Sequence, residues 1–190
     1  MTPWYAPPVE RARAIRISKL LSLALRHEPA ALGVTLDSAG RTDVAAVLRG
    51  LASKNEHVTE DELEEIIASS DKQRFALSAD GERIRANQGH SVAVDLGLPR
   101  REPPEVLFHG TVDRFLEAIR REGLVRGART HVHLSADEAT ARIVARRRAG
   151  TTVILRVRAR EMHEAGHVFF VSQNGVWLTE RVPAELLDFP

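Results

Sequence analysis

The chain has 190 residues, 43% hydrophobic and 28% charged, enough apolar material for a core and length for one mid-sized domain or two small lobes. Cysteine is absent, which excludes disulfides, thiolate catalysis and a cysteine-ligated zinc site, and fits a reducing cytoplasm. The net charge of +1 hides segregation: Arg11, Arg13, Arg16, Lys19 and Arg26 face Glu28 alone, and Arg142, Arg146, Arg147 and Arg148 face no acid, whereas Glu56, Glu60, Asp61, Glu62, Glu64 and Glu65 face no base. Two basic clusters in a near-neutral chain point to a local polyanion site, the alternative being solvated helix faces.

The opening MTPWYAPPVE has neither a basic start nor an apolar run, so it does not read as a signal peptide. No stretch approaches the ~20 apolar residues of a membrane helix. A soluble, cytoplasmic, monomeric protein with no membrane partner is expected.

In chain order, the spacing of Ile17, Leu20, Leu21, Ala24 and Leu25 predicts a helix over 10–27, ended by Pro29. Arg26 and His27 then fall at its C-terminus. Gly33 and Gly40 bracket a short extended piece, and a second helix is expected over 43–51. A third begins at Thr59, which with Glu62 matches a capping box. FALS and ERIRA flank Ser78-Ala79-Asp80-Gly81 as a hairpin. Three helices followed by a hairpin suggest a winged helix.

The PRREPP stretch at 99–104 marks a linker, since adjacent prolines favour extended chain. It separates an N-terminal lobe at 1–98 from a C-terminal lobe at 105–190. The second lobe opens with VLFHGT as a strand. Val112, Phe115, Leu116 and Ile119 then predict a helix stopped by Gly123. HVHLS alternates, with His131 and His133 on one face and Val132 and Leu134 on the other. Ser135 and Glu138 match a second capping box, opening a helix that runs to Arg148 before Gly150. TVILRV, HVFFV and VWLT are further strands, the last two joined tightly at Asn174-Gly175. This lobe is mostly β with two helices, and the fold class is α+β.

Several residues are candidates for chemistry. Arg26 and His27 at a helix end, Arg74 projecting away from the Phe75–Leu77 face, and Arg148 before a glycine offer rigid donor forks suited to phosphate. Each also has a bland reading as a charge-paired cap or a solvated side chain. His109-Gly110-Thr111 sits at a strand end, where the glycine permits close backbone approach to a ribose; structural use is equally compatible with it. His131 and His133 lack a third ligand at close spacing, so no metal is expected. There is no Walker loop, GxGxxG or GxSxG element, which speaks against a Rossmann-bound nicotinamide cofactor and a serine nucleophile.

Taken in order, SKLLSLALRHEP at 18–29, DKQRFAL at 71–77, RANQGHS at 85–91, LFHGT at 107–111, GLVRGARTHVHLS at 123–135 and NGVWLTERVP at 174–183 resemble the RNA 2′-phosphotransferase (KptA) family. The resemblance spans almost the whole chain beyond its first ten or so residues. It implies two lobes, an N-terminal winged helix and a C-terminal ADP-ribosyltransferase-like lobe that binds NAD⁺, with the active site in a cleft between them. It implies that Arg26, His27, Arg74 and Arg148 are the catalytic set. His109, Gly110, Thr111, His133 and Ser135 would orient NAD⁺, and Val176 would stand where related transferases carry a glutamate.

The implied reaction has two steps and needs no metal. The 2′-phosphate of an RNA attacks the anomeric carbon of the nicotinamide ribose and expels nicotinamide. The adjacent ribose hydroxyl then attacks phosphorus, releasing 2′-hydroxyl RNA and ADP-ribose 1″,2″-cyclic phosphate. In fungi and plants the family serves tRNA splicing. The chain departs from the family pattern at Arg41, Ser70, Gly127 and Ala149. The alternative is an ADP-ribosyltransferase acting on nucleic-acid phosphates or protein that stops after the first step. A non-catalytic nucleic-acid-binding module is a third reading.

Overall fold

The computed structural model describes residues 9–70 and 73–190. The opening segment 1–8 and the Asp71-Lys72 start of the DKQRFAL motif lie outside the described residues. The architecture is mixed α+β with small antiparallel sheets. The chain divides into two compact units, with the boundary between Leu96 and Gly97.

In the first unit, α1 (Arg11–Arg26) buries Ile17, Leu21, Ala24 and Leu25 along one stripe, with Leu20 partly buried beside them. It stops where the proline requires. The His27 N–H still closes the last turn on the Leu23 carbonyl, and Pro29 opens a single 3-10 turn that ends at left-handed Gly33. β1 (Arg41–Asp43), α2 (Val44–Ala52), α3 (Glu60–Ala68), β2 (Phe75–Leu77) and β3 (Arg83–Ala86) follow. The capping box at α3 is present as expected: Thr59 Oγ1 accepts from Glu62 N–H, and Glu62 accepts from Thr59 N–H.

β1 was not expected from the sequence. Its three residues exist as a strand because Thr42 pairs with Ile84, giving a sheet ordered β1-β3-β2. Val44, Val47, Leu51, Leu63, Phe75 and Ile84 meet the α1 stripe in one core. Each buried aliphatic or aromatic side chain is worth about 1.5–3 kcal/mol. The partly exposed Arg13–Glu62 ion pair, at 2.6 Å, belongs to a class worth about 0–1 kcal/mol. Apolar packing therefore holds α1 against α3, and the ion pair adds register.

In the second unit, β4 (Val106–Val112) leads through a 3-10 turn to α4 (Leu116–Glu122), β5 (Leu124–Val125) and β6 (Val132–Leu134). Next come α5 (Glu138–Ala145), β7 (Thr152–Arg158), α6 (Ala159–Glu164), β8 (Phe169–Val171), β9 (Trp177–Thr179), β10 (Arg181–Val182) and β11 (Leu187–Asp188). The sheets are ordered β11-β7-β4 and β6-β9-β8, with β10 paired to β5. Reciprocal backbone bonds between Phe108 and Ser135, at 2.9 and 2.8 Å, tie β4 to the end of β6. The core gathers Leu107, Val132, Leu134, Leu155, Val157, Met162 and Phe169.

Several local expectations are corrected here. α5 is capped by Asp137, whose carboxylate accepts from Thr140 N–H at 2.7 Å, and not by Ser135. Ser135 spends both backbone groups on Phe108 and so remains sheet. The helix ends at Ala145, three residues before Arg148. Val112 belongs to β4, so the following helix starts later than its apolar spacing implied. Asn174 and Gly175 do not form a two-residue turn. Ser172 and Val176 close a three-residue loop, with Gly175 left-handed at φ 75. α6 makes a third helix beyond the two expected. Arg100 and Arg101 join the second unit through Phe170 and Phe169, so this part of 99–104 is bound to β8.

Candidate active site

The first unit builds its cationic site around the C-terminus of α1. The helix dipole favours positive charge there, and Arg26 occupies the last turn with exposed His27 as the C-cap. The Arg26 guanidinium lies 5.9 Å from the Phe75 ring centroid and donates to the Arg74 carbonyl at 3.4 Å. Arg74 Nη1 in turn lies 3.3 Å from Ser70 Oγ. Three of the four proposed catalytic residues thus belong to one local cluster. Ser70, a departure from the family pattern, touches Arg74 directly.

The RANQGHS segment wraps this cluster. Asn87 N–H donates to the Arg74 carbonyl at 2.9 Å, and the Asn87 side-chain amide donates to Gln73 O at 2.6 Å. That second bond holds Gln73 in a left-handed conformation at φ 38, a strained setting for a non-glycine residue immediately before Arg74. Gly89 takes a left-handed conformation at φ 88 beside the Arg26 side chain. Ser91 and Val92 N–H groups both donate to the Arg26 carbonyl, at 2.8 and 3.3 Å, and Ser91 Oγ lies 2.9 Å from His27 Nδ1. Behind the loop, His90 is fully buried, and burial beside Arg26, His27 and Arg85 lowers its pKa to about 4. It is therefore neutral near pH 7 and adds no charge to the cluster.

The second unit builds its site from β4, β6 and the turn after α5. His109 pairs with Leu155 across β4 and β7, and its Nδ1 lies 3.1 Å from the His133 carbonyl. Burial lowers its pKa, with Arg148 and Arg129 contributing in the same direction. A carbonyl only accepts, so neutral His109 donates from Nδ1 and keeps a lone pair on Nε2. Thr111 is buried and belongs to the strand interior. A Cβ on Gly110 would collide with the Ala141 carbonyl and sit 3.0 Å from Ala145 Cβ, so the glycine lets α5 approach β4 closely. Val176 is fixed through its backbone, which pairs with Ser172 on both N–H and C=O.

Arg148 follows α5 in a turn clipped to the start of the 3-10 segment. Its guanidinium carbon lies 5.3 Å from the Phe115 centroid, and Arg114 lies 4.9 Å from the same ring. Arg129 joins this group and was not anticipated. Its Nη1 is 3.5 Å from His133 Nδ1, and its pKa is lowered by desolvation, then by Arg148 and Arg147, with no carboxylate among the causes. Arg129, Arg147 and Arg148 disfavour one another's charge, which suits this part of the unit to an anion. His131 turns elsewhere, edge-on to Phe170 at 5.6 Å. Among the described residues no group of three or more histidine, aspartate or glutamate side chains could hold a metal ion.

A surface cleft of about 530 Å³ in the first unit is lined by Asp43, Glu60, Glu64, Asp80 and Glu82. Its acidic rim would repel phosphate, so volume is a poor guide here.

The family model for the RNA 2′-phosphotransferase, Tpt1 / KptA family matches residues 12–181. The chain belongs to this family. Members similar to it include three proteins named "Probable RNA 2′-phosphotransferase". That of Burkholderia lata is 53% identical over 175 residues, covering 92% of this chain and 90% of the relative. That of Streptomyces coelicolor is 50% identical over 182 residues, covering 96% and 98%. That of Rhodopirellula baltica is 49% identical over 177 residues, covering 93% and 96%. As a member of the Tpt1 / KptA family, the chain is matched across both of its units.

The residues that sequence reasoning missed are those that hold others in place. Arg129 stands four positions before His133 with no periodic signal linking them. Asn87, Gly89 and Ser91 lay inside a motif whose resemblance was visible but whose contacts were not. Among the described residues, no helix is long and apolar enough to cross a membrane.

Proposed function

We propose that the protein removes an internal 2′-phosphate from RNA, using NAD⁺ as co-substrate and releasing nicotinamide and ADP-ribose 1″,2″-cyclic phosphate. The observation that carries this reading is the 87–92 segment, which organises Arg26, His27 and Arg74 around one helix end in a family of RNA 2′-phosphotransferases. Two lobes with separate tasks fit the fold: a winged-helix lobe over 1–98 that holds the RNA phosphate, and an ADP-ribosyltransferase-like lobe over 105–190 that takes NAD⁺. The succession of α1, α2, α3 and the β2–β3 hairpin supports the first assignment. Arg129 and Arg148 beside His109 and His133 support the second, because NAD⁺ carries a pyrophosphate.

In the first step an oxygen of the RNA 2′-phosphate forms a bond to C1″ of the nicotinamide ribose. The C1″–nitrogen bond breaks, and its electron pair leaves with nicotinamide. A phosphate dianion needs no base, only positioning, which Arg26 supplies. His109, His133, Ser135 and Val176 hold the nucleotide, with Gly110 and Thr111 keeping β4 in place beneath them. In the second step the ribose O2″ attacks phosphorus and loses its proton, while the bond to the RNA O2′ breaks and that oxygen gains one. Charge accumulates on the phosphoryl oxygens, and Arg74, Arg148 and His27 stabilise it. Donors aimed at such oxygens in a dry site are worth about 3–4 kcal/mol each.

The test is incubation with a short RNA bearing one internal 2′-phosphate, with and without NAD⁺ and with no added metal. Wild type should yield 2′-hydroxyl RNA and the cyclic phosphate only when NAD⁺ is present. Arg74→Ala and Arg148→Ala should both accumulate ADP-ribosylated RNA. Wild type stopping at that adduct would instead establish the one-step transferase. RNA and NAD⁺ both unchanged would remove the enzymatic reading.

A further inference from the structure

The NQGHS loop ends on a residue whose contacts have a chemical direction. Ser91 meets α1 three ways: its N–H donates to the Arg26 carbonyl at 2.8 Å, its Oγ lies 2.9 Å from His27 Nδ1, and that same Oγ lies 3.5 Å from the Arg26 carbonyl. His27 is exposed and sits one residue beyond the last helical turn. The backbone around it is fixed all the same. His27 N–H is bonded to Leu23 O, and the Arg26 carbonyl takes two N–H donors from the loop. What the backbone leaves undetermined is the ring's rotation and which nitrogen carries the proton.

We propose that Ser91 is a positioning residue that orients the His27 ring and sets its tautomer. The hydroxyl accepts from Nδ1–H and turns its own hydrogen toward the Arg26 carbonyl. This arrangement commits Nδ1 to the protein, so Nε2 is the atom through which His27 meets substrate. Neutral His27 then offers a lone pair at Nε2 and can take the proton lost by an attacking hydroxyl. Charged His27 offers an N–H there and can donate to a phosphoryl oxygen or return the proton to the leaving RNA O2′. Either use needs the same ring orientation. The loop that positions His27 through the Ser91 hydroxyl also holds the Arg26 carbonyl through the Ser91 and Val92 N–H groups and the Arg74 carbonyl through Asn87 N–H, so it is a common support for these three residues.

This inference rests on the reading of His27 as a catalytic group, and two readouts keep the two apart. The first is ¹⁵N NMR of the His27 imidazole in the full chain, which needs no turnover. Wild type should show the Nδ1–H tautomer above the ring's pKa, Ser91→Ala a mixture, and Ser91→Thr the wild-type pattern. The second is turnover of 2′-phosphorylated RNA with NAD⁺. Ser91→Ala should lower kcat by about tenfold with KM nearly unchanged and lengthen the life of ADP-ribosylated RNA, as misorientation near the reacting atoms does. Ser91→Thr should restore kcat, whereas Ser91→Cys, of similar shape but a poor hydrogen-bond partner, should not. The Ser91 N–H bond to Arg26 survives all three changes, so the loop itself is retained. An unchanged tautomer in Ser91→Ala, or wild-type kcat in that variant, overturns the proposal. If wild type turns over no RNA, the proposed activity fails while the NMR comparison still decides the role of Ser91.

Discussion

The guanidinium of Arg148 lies 5.3 Å from the ring centroid of Phe115, and the turn that carries it is fastened to the same short segment. Gly150 packs so tightly that a Cβ would sit 2.9 Å from Asp113 Oδ1 and 3.1 Å from Val112 Cβ. Asp113 also accepts from Thr151 and from Arg114 N–H, and these bonds hold its carboxyl below the usual range. A flexible arginine three residues beyond a helix end is thereby given a defined place. A cation–π contact of this kind contributes about 0.5–1 kcal/mol when exposed. If it orients Arg148 for the second step, Phe115→Leu should slow decay of ADP-ribosylated RNA by about fivefold, since 1.4 kcal/mol is tenfold in rate. Phe115→Tyr should leave it within twofold. Single-turnover kinetics resolves the two steps, and equal slowing of both would show that Phe115 supports only the fold.

Much of this arrangement was legible in the sequence, and the reason lies in the range of each signal. The α1 stripe, the stop before Pro29 and the Thr59–Glu62 capping box depend on residues within one or two turns, so the pattern alone fixes them. Ser135 and Glu138 have the same spacing as Thr59 and Glu62, yet Asp137 caps α5. The difference comes from Phe108, which is remote in sequence and holds Ser135 in a sheet bridge. β1 likewise depends on a partner some forty residues away. Within the proposed site, Arg26, His27 and Arg74 were readable as types suited to phosphate. Their shared support was not, because Asn87 and Ser91 act through backbone carbonyls that no residue pattern displays.

Arg129 carries a second expectation. Desolvation and the neighbouring Arg148 and Arg147 lower its pKa, so the group is strained electrostatically until an anion arrives. NAD⁺ supplies one. A hydrogen bond to a charged group contributes about 1.5–3 kcal/mol, so Arg129→Ala should weaken NAD⁺ binding by roughly 10- to 100-fold. Arg129→Lys should restore it only in part, since an ammonium lacks the guanidinium fork. Isothermal titration with NAD⁺ in the absence of RNA checks both. Unchanged affinity in Arg129→Ala would place the pyrophosphate elsewhere.

Gly110 gives a prediction about stability. The contact of its missing Cβ is with the backbone carbonyl of Ala141 at 2.0 Å, which cannot rotate away as a side chain would. Gly110→Ala should therefore push α5 off β4 and destabilise the protein by about 1–3 kcal/mol, the usual cost of overpacking. Because α5 leads into the Arg148 turn, the second reaction step should also slow. Urea unfolding measures the first effect. Gly166→Ala, whose added Cβ meets nothing within 4 Å at φ 94, is a control for backbone strain without a clash. A smaller loss in Gly110→Ala than in Gly166→Ala would refute the packing argument.

His90 links the stability of the first unit to pH. It is fully buried, neither ring nitrogen has a hydrogen-bond partner among the described residues, and Arg26, His27 and Arg85 are the charged groups that bear on it. Its folded pKa is about 4, against an ordinary value of 6.5, so the unfolded chain binds the proton more readily. Stability should be fully present above pH 6.5 and should fall as pH drops from 6.5 toward 4, because the unfolded state gains the proton first. Acidic groups such as Glu62, whose pKa is lowered by Arg13, add losses of their own at low pH, so the comparison must be between variants. His90→Gln cannot be protonated in this range. The stability of wild type relative to His90→Gln should therefore decline between pH 6.5 and 4 and stay level between pH 7 and 8. Urea midpoints measured across that range decide it: a constant difference would mean that His90 titrates alike in the folded and unfolded chain.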